Sequence, residues 1–265
     1  MADFSRLTRF DPTTPNEARI YDYLLGGKDN FAVDRVAAQA ALDIAPELPL
    51  MCREGRRCME RVVTFLAKSG IKQFIDLGCG LPIPRSNVHD IAQRVVPDAR
   101  VVYVDRDPMV VVHAHALMED GVRTAAVEAD VRDPGLVLEH PALRRLIDLD
   151  QPVGVLMMSL LTSIPDDGEA AGVVERFRKE TAPGSHIAIT HAVSDVRPAT
   201  VARLMPLLPW RHRRLRSKAE VERLLEGLEP VEPGVVYLPE WRPAPGIVRP
   251  RPESIWAVCG VGRRP

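Results

Sequence analysis

No apolar run in this 265-residue chain approaches the roughly 18 residues needed to cross a bilayer, so a membrane-spanning class is not expected. The opening residues, Met1-Ala2-Asp3-Phe4-Ser5-Arg6, carry no apolar h-region. A secretory signal is therefore not expected, and the cytoplasm is the default location. Charge of one sign is missing too: 35 Lys and Arg against 36 Asp and Glu leave a formal net charge of -1. That balance gives no overall pull towards nucleic acid or an anionic membrane. Cysteine is sparse, at positions 52, 58, 79 and 259, with no CxxC pair. A zinc framework is not expected, and free thiols are. His113 and His115 are two apart, which on a helix points them to different faces, so no metal site is expected there. A P-loop, Gly-x4-Gly-Lys-Ser/Thr, is also absent.

What the chain does have is an ordinary globular composition, 46% hydrophobic and 27% charged, sufficient for a sizeable core. It also has one stretch around which the rest is arranged, Gln73-Phe74-Ile75-Asp76-Leu77-Gly78-Cys79-Gly80-Leu81-Pro82. This reads as a buried strand running into a glycine-marked loop. In an open parallel sheet, ligands bind outside the carboxyl ends of the strands. Glycine there lets the backbone approach a ligand, and a carboxylate accepts from an amine or hydroxyl. Cys79 is either a small residue that fits this loop or part of the site's wall.

Further strands are expected at Arg100–Val104, Ala125–Ala129, Val153–Met158 and His186–Thr190, with helices between them. Asn87 with Asp90 resembles an N-cap pair, and Pro108, Pro134 and Asp166 or Asp167 open later helices. Strand and helix in alternation imply an α/β fold with a parallel sheet. Acids follow the first three strands, at Asp76, Asp105 and Asp130. Asp105 suits a ribose, Asp130 an exocyclic adenine amine, and the Asp76 loop a cationic amino group. A dinucleotide fingerprint needs a third glycine opening a helix, and here Ile83 stands between Pro82 and Pro84. A cofactor without a pyrophosphate fits better, and S-adenosylmethionine is the leading candidate over a nicotinamide.

Ahead of the sheet, Ile20, Tyr23 and Leu24 recur at helical spacing, Gly26-Gly27 ends that helix, and Phe31 starts another towards Leu42. Pro46 and Pro49 are read as breaks. A long helix over Arg53–Lys68 should bury Met59, Val62, Val63 and Leu66, with Arg56, Arg57, Glu60 and Arg61 on its wet face. The run Tyr21–Asn30 is either a connector between helices or a lid over the cleft, and the lid is expected to form part of an acceptor pocket. After the fifth strand, the basic segment 211–218 is either a solvated helix entry or a surface for an anionic partner. Lys218–Leu228 has helical spacing. Val235–Leu238 and Ile255–Val261 read as strands flanking a proline-rich loop with Trp241, and are expected to close the sheet as an antiparallel pair.

The segments Ala18-Arg19-Ile20-Tyr21-Asp22-Tyr23-Leu24-Leu25-Gly26-Gly27-Lys28-Asp29-Asn30-Phe31, Asp76-Leu77-Gly78-Cys79-Gly80-Leu81-Pro82, Asn87-Val88-His89, Val102-Tyr103-Val104-Asp105-Arg106-Asp107-Pro108 and Ala129-Asp130-Val131-Arg132-Asp133-Pro134 together resemble an actinobacterial family of S-adenosylmethionine-dependent methyltransferases, long catalogued as a domain of unknown function. The resemblance runs from about residue 10 to the end. It implies a class I methyltransferase, Rossmann-like sheet of seven strands with the last antiparallel. Residues 1–70 would form an N-terminal helical cap, one structural unit with the cofactor-binding domain of 71–265. It also implies that Asp76, Gly78 and Gly80 hold the methionine part, Asp105 the ribose and Asp130 the adenine end. Cys79, Arg106, Val131, Ser159 and Leu160 complete the expected cofactor lining, and Arg19, Tyr21, Gly26, Gly27, Lys28, Asp29 and Asn30 the expected lid. The general loop of such enzymes, Asp-x-Gly-x-Gly-x-Gly, has Pro82 in place of its last glycine.

The methyl acceptor is expected to be a small molecule. Met157-Met158-Ser159-Leu160-Leu161 lacks the Asn/Asp-Pro-Pro-aromatic sequence of enzymes that methylate nucleic-acid amines. A general base is needed only where the acceptor must lose a proton. His191 is either that base or a satisfied core histidine, with Tyr21, Tyr23, Asp22 and Asp29 as rivals. Two other classes stay in view: a nicotinamide oxidoreductase and a silent S-adenosylmethionine-binding regulator. A homo-oligomer is compatible with all three.

Overall fold

The computed structural model describes residues 11–207, 209–246, 248–251 and 254–265. The first ten residues, with the expected absence of a signal, and Pro252 of the proline-rich loop lie outside the described residues. In chain order the elements are α1 (Glu17–Leu24), α2 (Ala32–Leu42), α3 (Leu48–Lys68), β1 (Gln73–Leu77), α4 (Val88–Gln93), β2 (Arg100–Asp105), α5 (Pro108–Leu117) and β3 (Thr124–Glu128). Then come α6 (Pro134–Leu138), α7 (Pro141–Leu146), β4 (Gly154–Met158), α8 (Asp167–Glu180), β5 (His186–Ala192) and α9 (Pro198–Leu204). The chain finishes with α10 (Lys218–Arg223), β6 (Glu229–Pro230), β7 (Val236–Tyr237) and β8 (Ala257–Arg263).

The eight strands form one sheet in the order β3-β2-β1-β4-β5-β8-β6, with β7 also paired to β8. The first five are parallel, and β8 runs antiparallel to β5, β6 and β7. The expected seventh strand is thus β8, and the strand beyond it is broken into the two short pieces β6 and β7. The order reverses between β1 and β4, which leaves a crevice at their carboxyl ends, the place where open α/β sheets bind ligands. Strand β1 is buried along its whole length, as its apolar residues and central position require.

Helix α3 begins five residues before the expected Arg53. Pro49 does not break it but sits in its first turn, where the missing N–H has no helical partner to lose. Met59, Val62, Val63 and Leu66 are buried in the main core, against β4 and β5, each contributing about 1.5–3 kcal/mol of apolar burial. Arg56 and Arg61 leave the wet face expected of them. Arg61 donates to the carbonyls of Leu238 and Trp241 at 2.6 and 2.8 Å.

Helices α1 and α2 form a smaller apolar cluster of their own, with Ile20, Leu24 and Ala38 buried and Tyr23 packed against them. A buried ion pair ties the two helices, Arg19 Nε to Asp34 Oδ2 at 2.7 Å. Asp34 also accepts from the N–H groups of Asn16 and Phe31, both at 2.8 Å. Among the described residues no helix is long and apolar enough to cross a membrane.

Candidate active site

The loop after β1 is pinned to β2, because the N–H groups of Gly78 and Cys79 both donate to the Val104 carbonyl, at 2.8 and 3.2 Å. Gly78 and Gly80 have φ of +69° and +67°, a conformation that side chains with a Cβ resist. A Cβ on Gly78 would come within 2.8 Å of the Leu160 side chain, whereas one on Gly80 would meet open space. Asp105, ending β2, accepts from Gly80 N–H and from Asp107 N–H, each at 3.0 Å. Burial pushes its carboxyl above the ordinary range against those hydrogen bonds.

Asp76 stands on the neighbouring strand, 6% exposed, and no described residue donates to its carboxylate. Burial raises its pKa to about 7, the Arg56 guanidinium opposing and Asp105 reinforcing the rise. Both acids line a cavity of about 560 Å³ at the carboxyl edge of the sheet. Ser159 lines it at the tip of β4, held in a left-handed conformation (φ 59°) while its N–H donates to the Thr190 backbone and hydroxyl oxygens, both at 3.0 Å. Leu160, Cys79, Arg106 and Val131 are also in the wall.

The third acid differs from expectation. The register puts Glu128, not Asp130, opposite Asp105 at the end of β3. Asp130 follows two residues on, in the cavity wall but already paired, its Oδ2 2.5 Å from Arg132 Nη2 and 3.6 Å from Arg106 Nη1. The Arg132 hydrogen bond holds its pKa at about 2.

The opposite wall comes from α1. Glu17, Ala18, Tyr21, Asp22 and Leu25 face the cavity, with Asn16 donating from Nδ2 to Asp107 at 2.5 Å. Glu17 is gripped by both Nε and Nη2 of Arg213, at 2.6 and 2.5 Å, and accepts from Ser163 Oγ at 3.2 Å. Pro209, His212 and Arg213 complete the enclosure.

Several expected lid residues are elsewhere. Gly26, Gly27, Lys28, Asp29 and Asn30 do not line the cavity. Their loop is gathered by Asp22, which accepts from Asp29 N–H at 2.9 Å and Asn30 Nδ2 at 2.8 Å. A Cβ on Gly27 would fall 1.8 Å from Asp22 Oδ1, so the carboxylate that gathers the loop would have to shift. Arg19 is buried against Asp34 and the Thr14 carbonyl. Tyr23 belongs to the small cluster between the cap helices, outside the cavity.

Of the two readings of His191, the structure fits the satisfied core histidine and not the base. It lies inside β5, wholly buried, one residue past the cavity-lining Thr190 and outside the lining. Nδ1–H donates to the Ala192 carbonyl at 2.6 Å, and Nε2 faces Arg216 Nη1 at 3.3 Å. Burial lowers its pKa to about 4, so the ring stays neutral and both nitrogens are engaged. Tyr21 does line the cavity, but its hydroxyl donates to the Cys52 carbonyl at 3.1 Å and burial drives its pKa upward.

The basic segment leads into the N-cap of α10 at Ser217, with Arg211 and His212 exposed, while its other arginines are held by acids of the fold. Arg213 holds Glu17, Arg214 holds Asp167 and Glu220 at 2.8 Å each, and Arg216 is buried. Arg216 reaches Asp167 at 2.9 Å and the carbonyls of Leu161 and Ile164 at 2.8 and 2.9 Å. Sequence reasoning missed Glu17, Arg56, His212 and Arg213 as cavity residues. Their polar side chains carry no spacing that distinguishes a cavity face from a wet one.

A mixed sheet with a parallel half, whose switch-point crevice holds a buried and a half-buried acid around a glycine turn, fits a nucleoside-cofactor enzyme of the Rossmann-like class, with α1 as the opposite wall of the crevice. The profile of a family described as S-adenosyl methyltransferase matches residues 5–265, and the chain belongs to that family. It is accordingly an S-adenosylmethionine-dependent methyltransferase. Among solved structures it is similar to a candidate methyltransferase from Thermobifida fusca YX, at 41% identity over 95% of this chain and 96% of that one, TM-score 0.88. It is similar also to a DUF574 family protein from Streptomyces avermitilis MA-4680, at 39% identity over 96% and 99% of the two chains, TM-score 0.90. Both are actinobacterial. The fold alone is shared with magnesium protoporphyrin IX methyltransferase from Synechocystis PCC 6803 with bound SAH, at 13% identity over 99% and 97% of the chains, TM-score 0.55. No curated protein matches the chain.

Proposed function

We propose that the enzyme methylates a small-molecule acceptor held between α1 and the 209–213 segment, with S-adenosylmethionine lying across the tips of β1, β2 and β4. The observation that carries this reading is the pair of acids at adjacent strand tips, Asp76 buried and Asp105 half-buried. Asp105, braced by the N–H groups of Gly80 and Asp107, is left to accept from ribose hydroxyls. No described residue donates to Asp76, which faces the cavity and suits an ammonium group. The open space beyond Gly80 admits the cofactor backbone-close, and a cavity of about 560 Å³ falls in the usual range for small-molecule sites. Asp130 and Val131 serve the adenine end, with Asp130 shared between an adenine amine and Arg132. Ser159 and Leu160 form the wall beneath.

When bound, S-adenosylmethionine supplies a methyl group on a sulfonium for in-line displacement by a nucleophile. The chain's part is to hold that nucleophile in line and exclude water, which is worth roughly 7–11 kcal/mol at best. The titratable groups on the acceptor side are already engaged. Glu17 is paired with Arg213, Asp22 caps its loop, Tyr21 is half-buried and hydrogen-bonded, and His212 Nε2 accepts from Arg211 at 2.9 Å. This favours acceptors that arrive nucleophilic without deprotonation at the site. Nucleic acid is disfavoured because the basic segment is occupied by Glu17, Asp167 and Glu220. A cytoplasmic setting accords with four unpaired cysteines.

The test is twofold. Thermal shift should show stabilisation by S-adenosylmethionine and S-adenosylhomocysteine and none by NAD. Methyl-labelled S-adenosylmethionine incubated with fractionated small metabolites should transfer label. Stabilisation by NAD alone would sink the site assignment, and label appearing only in added nucleic acid would sink the acceptor class.

A further inference from the structure

Arg56 projects from α3 into the same cavity, on the side of the helix that carries Met59 one turn later. It is an arginine without a carboxylate. Among the described residues no Asp or Glu oxygen lies within 4 Å of it, although other arginines around the cavity, at 106, 132 and 213, are all paired. One terminal nitrogen, Nη2, donates to the Ser86 carbonyl and so ties α3 to the loop that follows β1. Its Nε is buried and has no acceptor. That atom has no surface open to the cavity, so the edge left for a ligand is Nη1, to which no described residue offers an acceptor.

Asp76 presents the complementary deficit in the same cavity: a buried acid that no described residue serves. The two charges are near enough that Arg56 opposes the rise in the Asp76 pKa, yet they have not closed into a pair. Arg56 is held back by Ser86, and Asp76 is fixed in the β1 ladder between β2 and β4. Opposite charges that face one cavity and are held apart match a ligand carrying both charges on neighbouring atoms. An α-amino acid is such a group, with ammonium and carboxylate on a single carbon. A guanidinium fork is well shaped for the carboxylate half.

We propose that Arg56 and Asp76 form a zwitterion clamp for the amino-acid end of the cofactor, with Arg56 taking the carboxylate and Asp76 the ammonium. This rests on the cofactor placement given above and extends it to a residue on the cap side of the cleft. The clamp makes the enzyme selective for the intact amino-acid tail. It also joins α3, the β1 loop and the cofactor in one network, because Arg56 holds Ser86 and the ligand together.

Calorimetry separates the possibilities with three ligands: S-adenosylmethionine, its decarboxylated analogue, and methylthioadenosine, which lacks the whole amino-acid tail. The wild type should prefer S-adenosylmethionine to the decarboxylated analogue by at least about tenfold, the usual worth of a hydrogen bond to a charged group. In Arg56→Gln that preference should vanish: affinity for S-adenosylmethionine falls, while affinity for the other two ligands stays within about twofold. Arg56→Lys should restore part of it. Equal weakening of all three ligands in both variants would assign Arg56 a structural role and overturn the proposal. So would a wild type indifferent to the carboxylate, including the case in which Arg56 serves an acceptor's carboxylate instead. Failure of the wild type to bind any of the three would instead overturn the cofactor placement itself.

Discussion

The two walls of the cleft are built by different means. The sheet wall, with Asp76, Gly78, Gly80 and Asp105, is part of a continuous ladder inside the main apolar core. Its backbone is fixed by strand hydrogen bonds and by the N–H groups of Gly78 and Cys79 on one carbonyl. The cap wall stands on a small separate cluster and is fastened by side chains: Arg19 to Asp34, Asn16 to Asp107, Glu17 to Arg213. A wall set by backbone geometry holds an invariant ligand. A wall set by replaceable side chains can be refitted to different ligands without disturbing the first. In the proposed placement the cofactor and the acceptor divide along that line.

The sharpest way to break the comparison is at Asp76, where the sheet wall holds an unmet charge. Its pKa in the fold is raised from 3.8 to about 7 by burial. The unligated protein is therefore favoured while Asp76 is protonated, fully so below about pH 4, and loses that advantage as pH rises through about 7. At about 1.36 kcal/mol per pH unit the loss is on the order of 4 kcal/mol at pH 8. Asp76→Asn should raise the melting temperature of the unligated protein by several degrees at pH 8 and change it little near pH 4, while weakening cofactor binding. Wild-type affinity for S-adenosylmethionine should climb with pH up to about 7 and then level, and the variant should lack that slope. A variant no more stable than wild type at pH 8 would mean that Asp76 is already compensated without ligand.

The next effect is at Asp105, whose carboxylate is braced by the turn. Asp105→Ala should lower affinity for S-adenosylmethionine by about 1.5–3 kcal/mol, the range for hydrogen bonds to charged groups. Titration calorimetry measures it, and unchanged affinity would remove Asp105 from the ribose.

The smallest effect belongs to the cap fastening. Glu17 and Arg213 are partly exposed, so Arg213→Gln should change global stability by less than about 1 kcal/mol. Hydrogen exchange should nonetheless quicken over residues 17–25 and stay unchanged over β1 and β2, because local opening follows local contacts. In the wild type the same helix should gain protection when cofactor binds. Equal exchange in α1 and β1 throughout would erase the distinction between the walls.

The sheet was readable because apolar strands alternate with capped helices, and the glycine turn because it interrupts the first strand. The losses have physical reasons. The run Tyr21–Asn30 was read as a lid because it is dense in polar groups, but Asp22 satisfies much of that polarity within the run itself. Spacing does not reveal which donors a carboxylate will gather. His191 was set beyond a strand that in fact continues to Ala192, and period-two alternation then turns it away from the Thr190 side. Asp130 fell out of place because β3 begins and ends one residue earlier than its apolar run suggests. Arg56 looked solvated because helical periodicity cannot show that the loop after β1 folds back over that face.

Arg216 also acts as a ruler. Its side chain is anchored to the segment between β4 and α8, while its backbone bridges to Val193 and its carbonyl accepts from Ser194 N–H at 3.1 Å. Three residues earlier, Arg213 is clasped to α1. Both ends of this short interval are thereby tied to different parts of the molecule. A residue inserted or deleted within it would force one anchor to let go. Side chains on the α1 wall can be exchanged without moving the backbone, whereas the length of the 213–216 interval is set by its two anchors.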